Sequence, residues 1–265
     1  TVNTPIYQVD AFTERLFSGN SACVVLLAEW IPESKLLKIA KENAVAETAF
    51  LVMNGGTNHL RWFTPDIEID LCGHATLAAG HVVLTHLTPN KNTVQFQTIS
   101  GQLDVERDNT VYRIALPNRP PIAAELPASI SESLSLQPQE VLKARDYVLV
   151  YASESQVADL QINRGIFDRI NLDPGGVAVT AAGRDCDFVS RFFTPQATIL
   201  EDPVTGSAHC SLTPYWSERL GKTSLEARQI SHRKGELRCE VKGDQVHLFG
   251  NAVTYSVGHI QIDED

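Results

Sequence analysis

Two short stretches of this chain set a glycine just ahead of a helix-like segment. "DLCGHA" (residues 70–75) carries Gly73 and His74, and "PVTGSA" (203–208) carries Gly206 and Ser207. A glycine there lets the backbone approach a ligand closely. The first N–H groups of the helix that follows lack intrahelical acceptors and so can donate to a carboxylate or phosphate. The expected chemistry is recognition of a small anion. The plain alternative is that both glycines are only turn residues, and it stands for either junction taken alone. The change in the next residue, His74 against Ser207, favours a site whose two parts have unequal tasks. Cys72 lies two residues before His74, a separation that does not establish a nucleophile and its base. The histidines at 59, 81, 86, 209, 232, 247 and 259 show no ligand pattern, so no metal is expected.

Both junctions sit inside a phrase written twice. "RWFTP" (61–65) returns as "RFFTP" (191–195), matching Arg61, Phe63, Thr64 and Pro65 to Arg191, Phe193, Thr194 and Pro195. Gly73 and Ala75 then match Gly206 and Ala208, and "GQLDVERDNTVYRIAL" (101–116) matches "GELRCEVKGDQVHLFG" (235–250). A period of about 130 residues is far longer than the roughly 20–50 of solenoid repeats, so duplication of a whole domain is the natural reading. Two related halves would aim two helix N-termini at one cleft, where ligands commonly bind. The expected boundaries are an N-terminal lobe over 1–117, a Pro-, Ala- and Ser-rich linker over 118–135 and a C-terminal lobe over 136–265.

Composition narrows the partners. With 265 residues and 43% hydrophobic content the chain can bury substantial cores. A net charge of −10 and the absence of a Lys/Arg-rich block argue against nucleic acid or an anionic membrane surface, both of which need clustered positive charge. No stretch approaches the ~20 apolar residues of a membrane span, and "TVNTPIYQVDAF" lacks a basic region followed by an apolar core, so a cytoplasmic protein is expected. Five cysteines with no CxxC pair fit a reducing compartment.

Local signals supply the elements. "IYQVDAF" and "SACVVLL" read as strands around the turn Ser18-Gly19-Asn20, and "PESKLLKIAKENA" reads as a helix with Leu36, Leu37, Ile39 and Ala40 on one face. "TAFLVM" and "HLRWFTP" flank Asn54-Gly55-Gly56 as a hairpin. "HATLAAGHVVLTHL" reads as a helix ended by Thr88-Pro89-Asn90, and residues 93–116 as an antiparallel meander. "SLQPQEVLKAR" is expected to open the second half with a helix. "SAHCSLTPYWSERLGK" is expected to be another, with Pro214 inside it and Gly221 as its stop. Several strands and a helix in each half make an α+β unit.

"VDAFTERLFSGNSACVVLL", "NAVAETAFL" (43–51), "RWFTPDIEIDLCGHATLAAGHVV" and "RFFTPQATILEDPVTGSAH" occur in this order across almost the whole chain. Together they resemble the PhzF-like proteins of phenazine biosynthesis. The resemblance implies the diaminopimelate epimerase-like fold: α+β, with two similar lobes from an internal duplication, each a mostly antiparallel sheet wrapped around a helix. It makes Glu47 the proton carrier, since Glu47 is the glutamate of the "ET-x-F" word. The apolar neighbours Val45, Ala46, Ala49 and Phe50 suit a carboxyl that takes and returns a proton. It also implies that His74 and Asp202 assist the proton shift, that Gly73, Gly206 and Ser207 bind substrate, that no metal or organic cofactor takes part, and that the protein is a homodimer. From the residues alone, His74 and Ser207 equally suit a first helical turn, Asp202 an N-cap or a partner for Arg191, and Asp66, Glu68, Asp70 and Glu201 solvent.

"LCGHA" also resembles the first cysteine motif of the cofactor-independent amino-acid racemases, which need a thiol on each face of the stereocentre. Pro203 stands where the second thiol would be and Cys210 lies too far along, so Cys72 reads as structural. The expected activity is therefore a cofactor-independent isomerase that moves a proton within a small carboxylate through Glu47. An amino-acid epimerase, or a protein that binds a small molecule without turnover, is the alternative.

Overall fold

The computed structural model describes residues 1–263. The chain divides into two compact units, one formed by residues 1–115 with the C-terminal stretch from Phe249, the other by residues 116–248.

In the first unit β1 (Val2–Ala11) and β2 (Asn20–Leu27) pair antiparallel. The loop between them closes at Gly19, which has φ +65° and whose Cβ, if present, would lie 2.2 Å from the Ala11 carbonyl oxygen. Helix α1 (Glu33–Asn43) ends at Ala44 in the left-handed conformation and leads into β3 (Glu47–Asn54), which runs parallel to β2. β3 and β4 (Thr57–Phe63) form a hairpin whose two loop residues, Gly55 and Gly56, both have positive φ, as a tight two-residue turn requires. The short β5 (Glu68–Ile69) folds back on the end of β4. Then comes α2 (Gly73–Val82), continued by a π-helical turn over Val83–Leu87. The expected meander follows as β6 (Thr93–Thr98), β7 (Gly101–Asp108) and β8 (Val111–Pro117), the last two residues of β8 falling past the boundary at Ala115.

Every residue of α2 is buried. A helix without a polar face belongs inside a core, and α2 packs against β1, β2, β3, β7 and the C-terminal strand Ala252–Ile262. Its small residues allow this: a Cβ at Gly80 would fall 2.4 Å from Val105 Cγ1 on β7. The C-terminal strand pairs with β1 from Val2↔Ile262 to Ala11↔Ala252. Those backbone bonds carry it into the first unit, so the partition differs from the expected lobe over 136–265.

The second unit holds β9 (Ile122–Ala123), α3 (Ala128–Ser131), β10 (Glu140–Lys143), β11 (Tyr147–Val150), α4 (Glu154–Asp159) and α5 (Arg164–Phe167). It continues through β12 (Val177–Ala182), β13 (Phe188–Phe193), β14 (Glu201–Asp202), α6 (His209–Leu220), β15 (Ser224–Gln229), β16 (Gly235–Lys242) and β17 (Gln245–Gly250), the last two residues of β17 falling past the boundary at Leu248. Two expectations change here. The helix expected in "SLQPQEVLKAR" is instead β10, because Val141 and Leu142 pair with Leu149 and Val148 of β11 and Leu142 also pairs with Ala123 of β9. Residues 118–135 are structured within this unit: Arg119 N donates to the Cys210 carbonyl (2.9 Å) and Ser211 Oγ donates to the Arg119 carbonyl (2.8 Å). Pro214 explains the first bond. It has no N–H to give the carbonyl four residues earlier, so that acceptor is open to Arg119. Gly221 ends α6 with φ 64°, as expected.

The duplication is visible in the pairing. β1 antiparallel to β2, β2 parallel to β3, β3 antiparallel to β4, β4 parallel to β6 and β6 antiparallel to β7 recur as β10–β11, β11–β12, β12–β13, β13–β15 and β15–β16 in the same senses. The repeated phrase builds a repeated clasp. Arg61 grips Glu68 with two bonds (2.7 and 2.6 Å), and Arg191 grips Glu201 the same way (2.8 and 3.0 Å). Each guanidinium also lies over the phenylalanine two residues on, Phe63 or Phe193. Glu68 and Glu201 are therefore clasped, not solvated. Among the described residues no helix is long and apolar enough to cross a membrane.

Replacing Gly80 by Ala is expected to lower the unfolding free energy by about 1–3 kcal/mol through overpacking against Val105. Chemical denaturation of Gly80→Ala, Val105→Ala and the double variant checks this. The double variant should lose less than the sum of the two single losses.

Candidate active site

Glu47 is the first residue of β3, opposite Ala22 of β2. The chain reaches it from α1 through the left-handed Ala44, and Asn43 Nδ2 ties the helix end to the new strand by donating to Thr48 Oγ1 (3.1 Å). His74 is the second residue of α2 and is 1% exposed. Its Nε2 lies 3.1 Å from Glu47 Oε2, with the glutamate side chain only 12% exposed. On the other edge of the ring, Nδ1 is 3.3 Å from Asn20 Nδ2 and 3.5 Å from Cys72 Sγ. Cys72 is the N-cap of α2 and makes no side-chain cap bond, so the first N–H groups of the helix are not capped by it. His74 is not a capping residue either; its ring is turned to Glu47.

Three strand and helix ends thus meet at one point: the start of β2 gives Asn20, the start of β3 gives Glu47 and the start of α2 gives Cys72, Gly73 and His74. Burial pushes the His74 imidazole down to about 3, against a weaker pull from a backbone hydrogen bond with Ser21. At neutral pH the ring carries one proton, and its Nε2 approaches the Glu47 carboxyl to 3.1 Å, although the two atoms are not aligned as a hydrogen bond. Cys72, His74 and Glu47 also offer sulfur, nitrogen and oxygen atoms within 4.8 Å of one another.

In the second unit the other predicted residues form a separate group. Asp202 closes β14, and its Oδ2 accepts from Thr205 Oγ1 (2.6 Å). It is Glu201, not Asp202, that pairs with Arg191. Gly206 and Ser207 lie in a turn ahead of α6, which starts at His209, two residues later than expected. The loop is held by Gln229, a buried residue that sequence reasoning missed. Its Oε1 accepts from Thr205 N (2.7 Å), and its Nε2 donates to the Asp202 carbonyl (2.9 Å) and to Thr205 Oγ1 (3.1 Å). His209 Nδ1 donates to the Thr205 carbonyl (2.7 Å), and burial pushes this imidazole down to about 4. The structure therefore brings Glu47, Gly73 and His74 together in one unit and Asp202, Gly206 and Ser207 together in the other.

A family profile described as phenazine biosynthesis-like protein matches residues 9–258. The chain belongs to the phenazine biosynthesis-like (PhzC-PhzF) family. A relative described as an uncharacterized isomerase of Pseudomonas aeruginosa is 44% identical over 258 residues, covering 97% of this chain and 98% of that protein. Another, from Halalkalibacterium halodurans and also described as an uncharacterized isomerase, is 39% identical over 259 residues, covering 96% and 97%. The crystal structure of a PhzF family protein from Enterococcus faecalis superposes with a TM-score of 0.91 at 41% identity, covering 98% of this chain and 100% of that one. This phenazine biosynthesis-like chain is an isomerase of that class, with its α+β, diaminopimelate epimerase-like fold.

Three buried histidines of this family member, His74 among them, give its stability a pH dependence. His81 and His209 are both pushed down to about 4 by burial, His81 also by the charges of His86 and Arg107. Below the ordinary histidine pKa of about 6.5 the unfolded chain binds protons that the native state refuses. Their contribution is therefore complete above that value and is lost as the pH falls toward 4. Each histidine contributes a slope of about 1.4 kcal/mol per pH unit within that window. Urea unfolding from pH 7 to 4.5 should show falling stability, and His209→Gln should flatten the slope by about one histidine's share. An unchanged slope would mean that His209 takes up its proton in the native state.

Proposed function

We propose that this chain moves a proton within a small carboxylate substrate, without a cofactor, using Glu47 as its single acid/base. The observation that carries the reading is the contact between Glu47 Oε2 and His74 Nε2 at 3.1 Å, at the head of a buried helix. A carboxylate takes a proton from a carbon made acidic by a neighbouring carbonyl or double bond. It then returns the proton at another carbon on the same face. A neutral imidazole serves this better than an imidazolium. After a small turn of either side chain it can donate to the carboxylate or accept from the carboxyl, without holding the carboxylate permanently ionised as a fixed positive charge would. The backbone N–H groups at Gly73, at the positive end of α2, suit the substrate carboxylate.

The same proposal assigns substrate contact to Gly206 and Ser207 and assistance in the proton shift to Asp202. The Gln229 and Thr205 bonds that hold the Asp202 loop support that assignment, because a fixed loop keeps its donors aimed. The descriptions of the relatives as isomerases support the reaction class. The homodimer implied by the family resemblance is carried into the reading.

Incubating the protein with a panel of small unsaturated and keto carboxylates in heavy water tests it. A turned-over compound should gain deuterium at the carbon that receives the proton. Glu47→Gln, which keeps the shape but cannot carry the proton, should lose about 10²–10⁴-fold in rate while remaining folded by circular dichroism. Exchange at one stereocentre with inversion would point instead to epimerisation, and binding without exchange to a protein that does not turn its ligand over. Full turnover by Glu47→Gln would remove Glu47 from the chemistry.

A further inference from the structure

Cys72 has no task in the proposed reaction, yet its Sγ stands 3.5 Å from the imidazole that also faces Glu47. One reading of a thiol, an imidazole and a carboxylate close together is an activated nucleophile. Burial argues against it: Cys72 is only 4% exposed, whereas reactive cysteines sit in partly exposed sites. Thiol, imidazole and carboxylate are, however, also the side-chain types that ligate zinc-like ions, and here they stand together.

We propose that Cys72, His74 and Glu47 form a site for a borderline-soft divalent cation of the zinc class, and that occupancy blocks the proton carrier. The donor set decides the class. Sulfur, imidazole nitrogen and carboxylate oxygen together suit zinc, cadmium or cobalt(II), whereas magnesium and calcium take oxygen ligands. The spacing fits a cation bound after a small adjustment. Tetrahedral zinc with ordinary bond lengths holds its ligand atoms about 3.3–3.7 Å apart. Here one ligand atom from each of the three residues lies within 4.8 Å of the others, wider than that spacing, so the side chains must close in on the ion. Closing all three on a single ring nitrogen asks for about 1 Å of side-chain movement.

The charges also balance. On binding, the thiol gives its proton to solvent and becomes a ligand. A thiolate and a carboxylate then cancel the dication, so the buried assembly carries no net charge. The backbone bond between His74 and Ser21 is the sort of outer contact that fixes a ligating ring. Three protein ligands leave a fourth position open. The blocking role rests on Glu47 being the proton carrier; the binding itself does not.

Cobalt(II) added to the purified 265-residue chain reads the site by absorption. One equivalent should produce a thiolate-to-cobalt charge-transfer band in the near ultraviolet. Cys72→Ser should abolish that band and weaken binding by more than about 100-fold, beyond what loss of an outer contact causes. Cys186→Ser, which removes a partly exposed thiol elsewhere, should leave the band unchanged. If Cys72→Ser does not fold, cadmium-113 resonance of the unaltered chain serves instead, with one signal in the range of mixed sulfur, nitrogen and oxygen ligation expected. Absence of the band, its survival in Cys72→Ser, or a cadmium signal of purely oxygen ligation overturns the site. A site that fills while zinc leaves deuterium exchange intact overturns the blocking role and the assignment of Glu47, and leaves the metal site standing.

Discussion

The first unit is organised around one contact, the Glu47 carboxylate against a buried, neutral His74. An imidazole in water is half protonated near pH 6.5, and keeping it neutral requires removing it from solvent on every side. The ten buried residues of α2 do that, and they can because alanine, glycine and threonine let five strands close around the helix. Glu47 then needs to sit at a strand end, where a carboxylate retains some access to solvent and ligand. The left-handed Ala44 and the Asn43–Thr48 bond fix that strand start. Gly80 shows how narrow the tolerance is, since one added carbon there meets Val105.

Duplication explains what is shared, and divergence explains what is not. Both units keep the arginine–glutamate clasp, with the guanidinium lying over phenylalanine, because the clasp locks the strand end that precedes the glycine turn. Beyond the glycine the two part. The first unit directs a histidine to a glutamate; the second directs its histidine, His209, back to the Thr205 carbonyl, and stabilises the loop through Gln229. One copy ends with a histidine close to a glutamate. The other has become a fixed loop presenting Asp202, Gly206 and Ser207.

The features legible from sequence were those with local causes. The Gly55-Gly56 hairpin, the meander over β6 to β8, the start of α2 at a glycine and the stop of α6 at Gly221 all follow from turn chemistry and periodicity within a few residues. What escaped depends on distant partners. Gln229 reaches its loop from 24 residues away, and nothing near it signals that. Glu68 and Glu201 look solvated until the strand folds back on its arginine. Residues 140–143 carry apolar spacing too short to separate strand from helix, and β9 and β11 decide the matter. The C-terminal strand belongs to the first unit only because β1 offers it an open edge. His74 was picked out by position, but its facing Glu47 was visible only through the family resemblance.

Nitrogen-15 resonance of the His74 ring, assigned by comparison with a His74 variant and followed from pH 8 to pH 5, tests the central claim most directly. A buried neutral ring beside Glu47 predicts two well-separated nitrogen signals, one protonated and one bare, unchanged across that range. An imidazolium pattern at pH 7, or a titration centred near the free-histidine value, would contradict the account.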